Sequence, residues 1–419
     1  MTALREYARD AGIPERAGDV GLRPPSAEEA LDIARAALVR PAGPELVDAV
    51  WEHARWIPHA VCMALFRVAT SDGRDLRLCI ERRVRPVSRA SNAVWTARLA
   101  ELLPGLHPLA ELVDGGRAWW FPADRALPGA HRLHDPLRIR RLLAPCEAFA
   151  ALSIRRHRSR LTLLRYKPAQ RAVLRLEIAV RDADGRRSRV PLAARALAPR
   201  RAQRVLAARA RCRASAALGA RLIAQEDRSG LLIEEWLDGR VCGPDDFSGA
   251  HDAGRMLAEL HAEPAPGPTS TLDGAEFLDL FEVERALWTR ARRMAARPAL
   301  APVAPCWIHG DVHPDQVLRR TAGSTALLDW DALRAGDPAE DLASWWADAL
   351  AAGASADRVL ALLLEGYASG GGEAPDRSRL RAWAARGLVQ RAAASIRRLE
   401  SGAVDRAARL LDLAEELTP

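Results

Sequence analysis

Lysine is almost missing from this chain of 419 residues: of its 62 basic residues, Lys167 is the only lysine and the others are arginines. The basic residues are spread along the whole sequence without a basic tail, although the formal net charge is +8. A nucleic-acid-binding surface gathers its cations on one face or in one segment. We therefore interpret the arginines as solvated helix faces and do not expect nucleic acid as the partner.

Long apolar runs and paired cysteines are missing too. No uninterrupted apolar stretch reaches about 18 residues, so we expect no membrane span. The first residues, MTALREYARDAGIPER, lack the apolar core of a secretory signal, and we expect a cytoplasmic protein. The six cysteines are scattered without a Cys-x-x-Cys pair, which predicts reduced, mostly buried thiols and no structural zinc site.

What the chain does contain is enough apolar material, 49% of its residues, for two or three domains or lobes. Residues 26–39 are typical of an amphipathic helix that Ser26 and Glu29 cap. Residues 60–83 predict a β-hairpin. The apolar segment 119–122 predicts a buried edge strand that runs into a turn at its proline.

A second β-rich region and then a mainly helical region follow. The strands predicted there are 161–166, 172–180, 189–197 and 231–237. An arginine-rich helix is predicted over 200–218, and after residue 248 the pattern is helical except for a β-like island at 306–331. This order predicts an α+β fold in three parts. They are an N-terminal extension with a helix and a hairpin (1–155), a strand-rich lobe (156–238) and a helical lobe (239–419).

The segment most informative about chemistry is His309-Gly310-Asp311-Val312-His313, which is followed by Gln316 and by a strand that ends at Asp329 and Asp331. Carboxylate and amide oxygens are the ligands that Mg²⁺ takes in proteins. Phosphoryl transfer needs positioning and charge neutralisation more than covalent help from the protein. The pattern therefore favours a nucleotide–magnesium site over a set of ordinary solvated loops.

This combination of motifs resembles the aminoglycoside phosphotransferase and choline kinase family. The signature of that family is His-Gly-Asp, a His two residues after the Asp, an Asn five residues after it, and a later strand that ends in Asp. Gln316 stands at the Asn position, and the segments 254–261, 336–338 and 341–343 also match. The resemblance covers roughly residues 160–400 and implies a two-lobed protein-kinase-like fold.

The resemblance implies a role for each residue of the His-Gly-Asp loop. Asp311 would be the catalytic base, accepting the proton of a substrate hydroxyl and orienting its oxygen for attack. His309 and His313 would support the loop through hydrogen bonds. Asp341 is expected to anchor the loop region and not to contact substrate.

The resemblance also implies the magnesium ligands. Gln316 and Asp329 would hold the ion, while Asp331 is either a second carboxylate ligand or only a turn residue. Glutamine carries the same amide groups as asparagine on a side chain that is one methylene longer. We therefore expect altered magnesium geometry and not the loss of the site.

ATP or GTP is the nucleotide that the resemblance implies. The family takes a lysine from a strand of the first lobe to the phosphates, and Arg195 stands at that position. Lys167, with Arg171 nearby, lies where kinases place the loop that covers the phosphates, so Lys167 is an alternative phosphate contact. Backbone groups around Glu235, Trp236 and Leu237 are expected to bind the adenine.

We therefore expect ATP- and Mg²⁺-dependent phosphorylation of a hydroxyl group on a small molecule. The alternative is a pseudokinase that binds nucleotide or acts as a scaffold without turnover. Two features favour it: arginine replaces the lysine, and no acidic residue occurs between Asp184 and Glu226 to pair with Arg195. A nucleic-acid binder that uses the helix at 200–218 is a third hypothesis. The identity of the substrate and the oligomeric state are left open.

Overall fold

The structure is a computed structural model that describes residues 23–84, 99–155, 159–267, 274–295 and 300–418. The chain divides into two compact units, each made of several segments. The first unit, here unit 1, comprises Met1–Ala202, Leu222–Glu234 and Ile396–Gly402. The second, here unit 2, comprises Gln203–Arg221, Glu235–Ser395 and Ala403–Pro419.

Unit 1 begins with a helix and an antiparallel sheet. Helix α1 (Ala27–Leu38) opens on Ser26, whose hydroxyl accepts from Glu29 N while the Glu29 carboxylate accepts from Ser26 N, a complete capping box. Five strands follow, in the spatial order β1-β2-β3-β5-β4. They are β1 (Leu46–Ile57), β2 (Val61–Thr70), β3 (Asp75–Arg83), β4 (Leu109–Glu111) and β5 (Arg117–Trp120).

The helix at 26–39 and the hairpin at 60–83 are confirmed as α1 and the pair β2–β3. The prediction of an edge strand at 119–122 was wrong, because β5 pairs with β3 on one side and with β4 on the other. The strand itself is buried as expected, and the chain turns directly after Trp120.

The second sheet of unit 1 contains the strands that the sequence predicted between 161 and 237. Its spatial order is β10-β11-β9-β8-β6, and β7 also pairs with β8. Two short helices, α2 (Pro128–Arg132) and α3 (Pro136–Leu143), precede it. The strands are β6 (Ser153–Ile154), β7 (Arg160–Lys167), β8 (Arg171–Arg181), β9 (Arg187–Leu197), β10 (Leu222–Glu226) and β11 (Leu231–Glu235).

One hydrophobic core joins the two sheets of unit 1. Met63 and Trp119 from the first sheet belong to the same buried cluster as Ile178 and Leu192 from the second. The predicted boundary at residue 155 lies within this unit, and the three-part functional division of the chain stays a prediction.

Unit 2 is mainly helical, which confirms the α+β class with a β-rich N-terminal region and a helical C-terminal region. Its helices include α4 (Pro199–Arg211, which begins in unit 1), α5 (Ala214–Leu218), α6 (Phe247–His261), α7 (Arg285–Ala295), α8 (Pro338–Ala352), α9 (Ala356–Ser369), α10 (Arg377–Arg397, which ends in unit 1) and α11 (Ala403–Glu416). The β-like island at 306–331 is confirmed as β13 (Cys306–Ile308), β14 (Val317–Arg320) and β15 (Thr325–Leu327); β12 (Gly239–Val241) lies beside β14, and β16 (Arg334–Gly336), just after the island, pairs with β13.

The prediction of one continuous helix over 200–218 was wrong. The N–H groups of Arg213 and Ala214 both donate to the Glu263 carboxylate, at 3.1 Å each. The Ser215 hydroxyl donates to Cys212 O at 2.7 Å. These side-chain partners take the backbone groups away from a continuous ladder, so α4 ends at Arg211 and α5 begins at Ala214.

Two expectations about the whole chain can be compared with the structure. The six cysteines are free thiols, and five of them are buried while Cys146 is partly buried, which confirms the prediction of mostly buried thiols. Within the described ranges, none of the helices has both the length and the apolar character that crossing a bilayer requires.

Candidate active site

The His-Gly-Asp loop of unit 2 follows directly on β13, and a glycine is required at its centre. Gly310 has φ +79°, in the left-handed region, and a Cβ built on it would lie 2.6 Å from Ala332 O. Only glycine therefore allows this loop to approach the segment around Ala332 so closely. Gly310, directly before Asp311, therefore lies against Ala332, directly after Asp331.

Asp341, in the first turn of α8, anchors the loop through hydrogen bonds to its backbone. Its Oδ2 accepts from His309 N at 2.7 Å, and its Oδ1 accepts from Gly310 N at 2.8 Å. The carboxylate is fully buried. His261 Nε2, at the end of α6, lies 3.2 Å from Oδ2, and the Tyr367 hydroxyl lies 3.0 Å from His261 Nδ1. This is the anchoring arrangement that we expected of Asp341.

The protonation of Asp341 follows from these partners. Burial alone would raise the pKa of its carboxyl, but the hydrogen bond and charge of His261, the nearby His309 and the N–H of Gly310 together lower the pKa below its ordinary value. A carboxylate that stays ionised keeps both oxygens available as acceptors for the loop.

Hydrogen bonds also join the loop to the strand that ends before Asp329. His309 Nε2–H donates to Leu328 O at 2.8 Å, and Leu328 N donates to Gln316 O at 2.7 Å. The His309 ring lies against the Trp330 ring, with centroids 5.1 Å apart. His309, Gln316 and the residues around Asp329 are therefore brought together within unit 2, as the sequence motifs predicted.

Asp329 has an unusual backbone conformation. Its φ of +60° and ψ of +59° lie in the left-handed region, which residues other than glycine rarely adopt. Such strain of about 1–3 kcal/mol persists where the surrounding structure requires it, often at functional sites. Asp329 and Asp331 are both partly buried, on either side of the buried Trp330.

His313 and Gln316 contact each other. Gln316 Nε2 donates to His313 Nε2 at 3.0 Å, and the Gln316 side chain is buried. The bond uses the nitrogen of the amide, and its oxygen makes no hydrogen bond to the described residues. Asp311 is exposed, and its carboxylate likewise forms no hydrogen bond within the described part of the chain.

The donor set fits an ion that takes few protein ligands. No group of three or more His, Cys, Asp or Glu side chains in the described residues could hold a metal by itself. Mg²⁺ usually keeps several waters and binds one or two carboxylates together with substrate phosphates. The carboxylates of Asp329 and Asp331 and the amide oxygen of Gln316 match this requirement. They would be too few for a metal that is held by protein ligands alone.

Arg195, which the sequence left without an acidic partner, has one in unit 1. It lies on β9, and its Nη1 is 3.4 Å from Glu234 Oε2 on the adjacent strand β11. Both side chains are buried. The sequence argument considered only the helix after β9 and therefore missed the carboxylate that the neighbouring strand supplies.

The other predicted nucleotide contacts lie at two places. Lys167 and Arg171 are paired across the turn between β7 and β8, where Lys167 is partly buried and Arg171 is buried. Glu235 ends β11, and its N–H donates to Arg221 O at 2.9 Å, so this N–H is already bonded. Trp236 and Leu237 follow outside the strand and are partly buried.

Solved structures with limited similarity to the chain include small-molecule kinases. A choline/ethanolamine kinase family protein from Mesorhizobium loti is 19% identical, with 68% of this chain and 95% of that chain covered and a TM-score of 0.46. A choline kinase from Streptococcus pneumoniae is 12% identical, with 68% and 99% covered and a TM-score of 0.47. A macrolide 2'-phosphotransferase from Brachybacterium faecium is 20% identical, with 65% and 95% covered and a TM-score of 0.42.

Among curated proteins, none matches the sequence significantly. The model of the phosphotransferase enzyme family (APH) matches residues 151–383, which is more than half of the chain. The match includes β7 to β11, the His-Gly-Asp loop and Asp341, and it confirms the resemblance seen in the motifs. The chain belongs to the phosphotransferase enzyme family.

Proposed function

We propose that the chain is an ATP- and Mg²⁺-dependent phosphotransferase that phosphorylates a hydroxyl group of a small molecule. The observation that carries the proposal is the loop at 309–311, which Asp341 anchors and which contacts Leu328 and Ala332 on either side of the Asp329–Asp331 segment. Family membership supplies the reaction class, and the arrangement of the loop supports retained chemistry.

Asp311 is the proposed catalytic base. Its carboxylate is exposed and is not committed to any described partner, so it is available to a substrate hydroxyl. His309 holds the loop through its bond to Leu328 O, and His313 contacts Gln316. Asp311 would accept the hydroxyl proton and orient the oxygen for in-line attack.

Gln316 and Asp329 are the proposed magnesium ligands, with Asp331 as a further candidate. When bound, Mg²⁺ would neutralise the charge on the nucleotide phosphates. The contact of Gln316 Nε2 with His313 supports this role because it fixes the amide and leaves the oxygen as the free group. The left-handed backbone of Asp329 is a strained conformation of the kind found at functional sites.

Arg195 or Lys167 is the proposed phosphate contact, and Trp236 and Leu237 are the proposed adenine-binding segment. The pseudokinase alternative rested partly on an unpaired Arg195. The Glu234 carboxylate beside it weakens that argument, since Arg195 does have a buried acidic partner. The replacement of lysine by arginine still favours the alternative, so turnover must be measured.

The first test is a thermal-shift titration with ATP or GTP, with and without Mg²⁺, on the wild type and on Asp329→Asn. Asparagine tolerates the left-handed backbone, so this variant removes the charge without adding strain. At a nucleotide concentration of about 100 Kd, we expect a magnesium-dependent rise in Tm of roughly 5 °C for the wild type. The rise should be lost in the variant.

The matched control is Asp315→Asn, which neutralises an exposed carboxylate on the same loop and should keep the full shift. A wild type that shows no shift with either nucleotide would contradict the proposed binding site. A shift without phosphate transfer to any member of a hydroxyl-substrate panel would instead support the pseudokinase alternative.

A further inference from the structure

Asp124 is a buried acid in the segment before the family match. It lies between β5 and α2 in unit 1, and the residue is only 2% exposed. The family match begins at residue 151, so Asp124 lies outside it. An isolated buried carboxylate is costly, and it needs a reason in the structure around it.

Three donors surround this carboxylate. Its Oδ1 accepts from Ala126 N at 2.9 Å, and its Oδ2 accepts from the Tyr166 hydroxyl at 2.8 Å and from Ala169 N at 2.7 Å. The Tyr166 oxygen in turn accepts from Trp119 Nε1 at 2.9 Å. Two of the three bonds to Asp124 therefore come from the end of β7 and the turn after it.

That turn has a backbone conformation that needs support. Gln170 N donates to Lys167 O at 3.0 Å, which closes a β-turn with Pro168 and Ala169 at its two central positions. Ala169 has φ +58°, where glycine is the usual residue. The bond from Ala169 N to Asp124 fixes the strained residue itself. Asp124 thus holds the tip of the turn that carries Lys167 and Arg171.

We infer that Asp124 is a positioning residue that fixes the turn between Lys167 and Arg171 against the phosphates of a bound nucleoside triphosphate. The inference rests on the proposed function and extends it. It gives the segment before residue 151 a role in nucleotide binding through the Asp124–Ala169 bond. Burial raises the pKa of Asp124 despite its three donors, so the fold keeps this acid at a cost to its ionised form.

Asp124→Asn is the decisive variant. Its amide oxygen can still accept from Ala126 N, but its NH₂ group then faces Ala169 N–H, which loses its acceptor. We expect the Kd for ATP, measured by calorimetry with Mg²⁺, to rise about tenfold. The amide of Ala169 should exchange with deuterium at least about tenfold faster in the ligand-free variant.

The matched control is Asp182→Asn. Asp182 accepts from Arg186 N at 2.8 Å in the turn between β8 and β9, at the other end of the same hairpin strand. This variant also removes a turn carboxylate from the sheet, but we expect its Kd for ATP to equal that of the wild type. A merely structural effect of losing a turn acid would appear in both variants.

Tyr166→Phe is a milder second variant, needed if Asp124→Asn does not fold. It removes one donor to Asp124 and leaves the Ala169 bond in place. We expect faster exchange at Ala169 and a Kd for ATP raised about two- to threefold.

Each outcome distinguishes the two proposals. If the wild type binds no nucleotide, the proposed function fails, while deuterium exchange at Ala169 still tests the link to Asp124. If the wild type binds ATP and Asp124→Asn binds it equally well, the positioning role is overturned and the proposed function stands. Unchanged exchange at Ala169 in both variants would overturn the link itself.

Discussion

Unit 1 and unit 2 each hold a turn with one buried aspartate, and the two aspartates do so in different ways. In unit 2, Asp341 accepts from the consecutive N–H groups of His309 and Gly310. In unit 1, Asp124 accepts from the N–H of Ala169. Gly310 and Ala169 both have positive φ, which glycine adopts freely but which is unfavourable for alanine, so only Asp124 holds a strained backbone.

The two aspartates differ in the side chain that hydrogen-bonds to each of them. His261 contacts Asp341, and the pKa of Asp341 is lowered although its burial acts to raise it. In the part of unit 1 that the structure describes, Asp124 hydrogen-bonds to neutral groups only, and burial raises its pKa. The comparison teaches that burial and backbone donors do not by themselves set the direction in which the pKa of an acid shifts, because the side chain hydrogen-bonded to the acid also contributes.

The largest expected effect tests whether the chemistry belongs to unit 2 alone. Asp311→Asn should lower kcat by about 10²–10⁴-fold, because the variant lacks the proposed base for the hydroxyl proton. Since Asp311 is exposed, the free energy of unfolding should stay unchanged. Steady-state kinetics and chemical denaturation measure the two quantities, with Asp315→Asn as the control. An unchanged kcat would remove Asp311 from the chemistry.

The second prediction sharpens the contrast between the two buried acids. Asp341→Asn leaves His261 opposite a neutral side chain and should lower the free energy of unfolding by about 3 kcal/mol. Asp124→Asn removes a carboxylate that has no cationic hydrogen-bond partner among the described residues and should cost about 1 kcal/mol. Urea denaturation compares the two variants directly. Equal losses would show that the difference in their partners has no energetic consequence.

The arrangement of the His-Gly-Asp loop in unit 2 could be expected from the motifs because its residues follow each other closely in the chain. His309, Gly310 and Asp311 are adjacent, Gln316 lies in the next turn, and Asp329 follows shortly after β15. Even the anchoring role of Asp341 could be expected, because it lies in the first turn of the helix that follows. Short loops between successive strands and helices leave few alternative arrangements for such residues.

The partners in unit 1 could not be predicted in this way. Glu234 meets Arg195 only because β11 inserts beside β9, a pairing between strands that are distant in the sequence. Asp124 lies more than forty residues before Tyr166 and Ala169, and nothing in its own sequence context indicates the contact. Glu263 interrupts the helix at Arg213 from a similar distance. Local patterns carry no information about such long-range pairs.

The smallest expected effect concerns pH, and here the two units should respond in opposite directions. Burial lowers the pKa of His134 in unit 1 to about 4, and burial together with Lys167 and Arg398 lowers that of His53 to about 4. The unfolded state binds protons at a higher pH than the folded state does. The stability that the neutral histidines contribute is therefore present above about pH 6.5 and is lost as the pH falls toward 4.

In unit 2, burial raises the pKa of Glu340 to about 7 against the opposing effect of Arg334. The stability linked to the protonated Glu340 carboxyl is present below about pH 4.5 and is lost as the pH rises through 7.

Between pH 7 and pH 5, unit 1 should therefore lose about 1–2 kcal/mol for each of the two histidines, while unit 2 gains stability. Hydrogen–deuterium exchange, corrected for the intrinsic effect of pH, reports on the two units separately. His134→Gln should flatten the response of unit 1, whereas His107→Gln at an exposed position should not. Glu340→Gln should flatten the response of unit 2. The prediction requires that protonation of the buried histidines destabilises unit 1 while protonation of the buried glutamate stabilises unit 2. If acid changes the hydrogen-exchange protection of both units in the same direction, this electrostatic contrast is wrong.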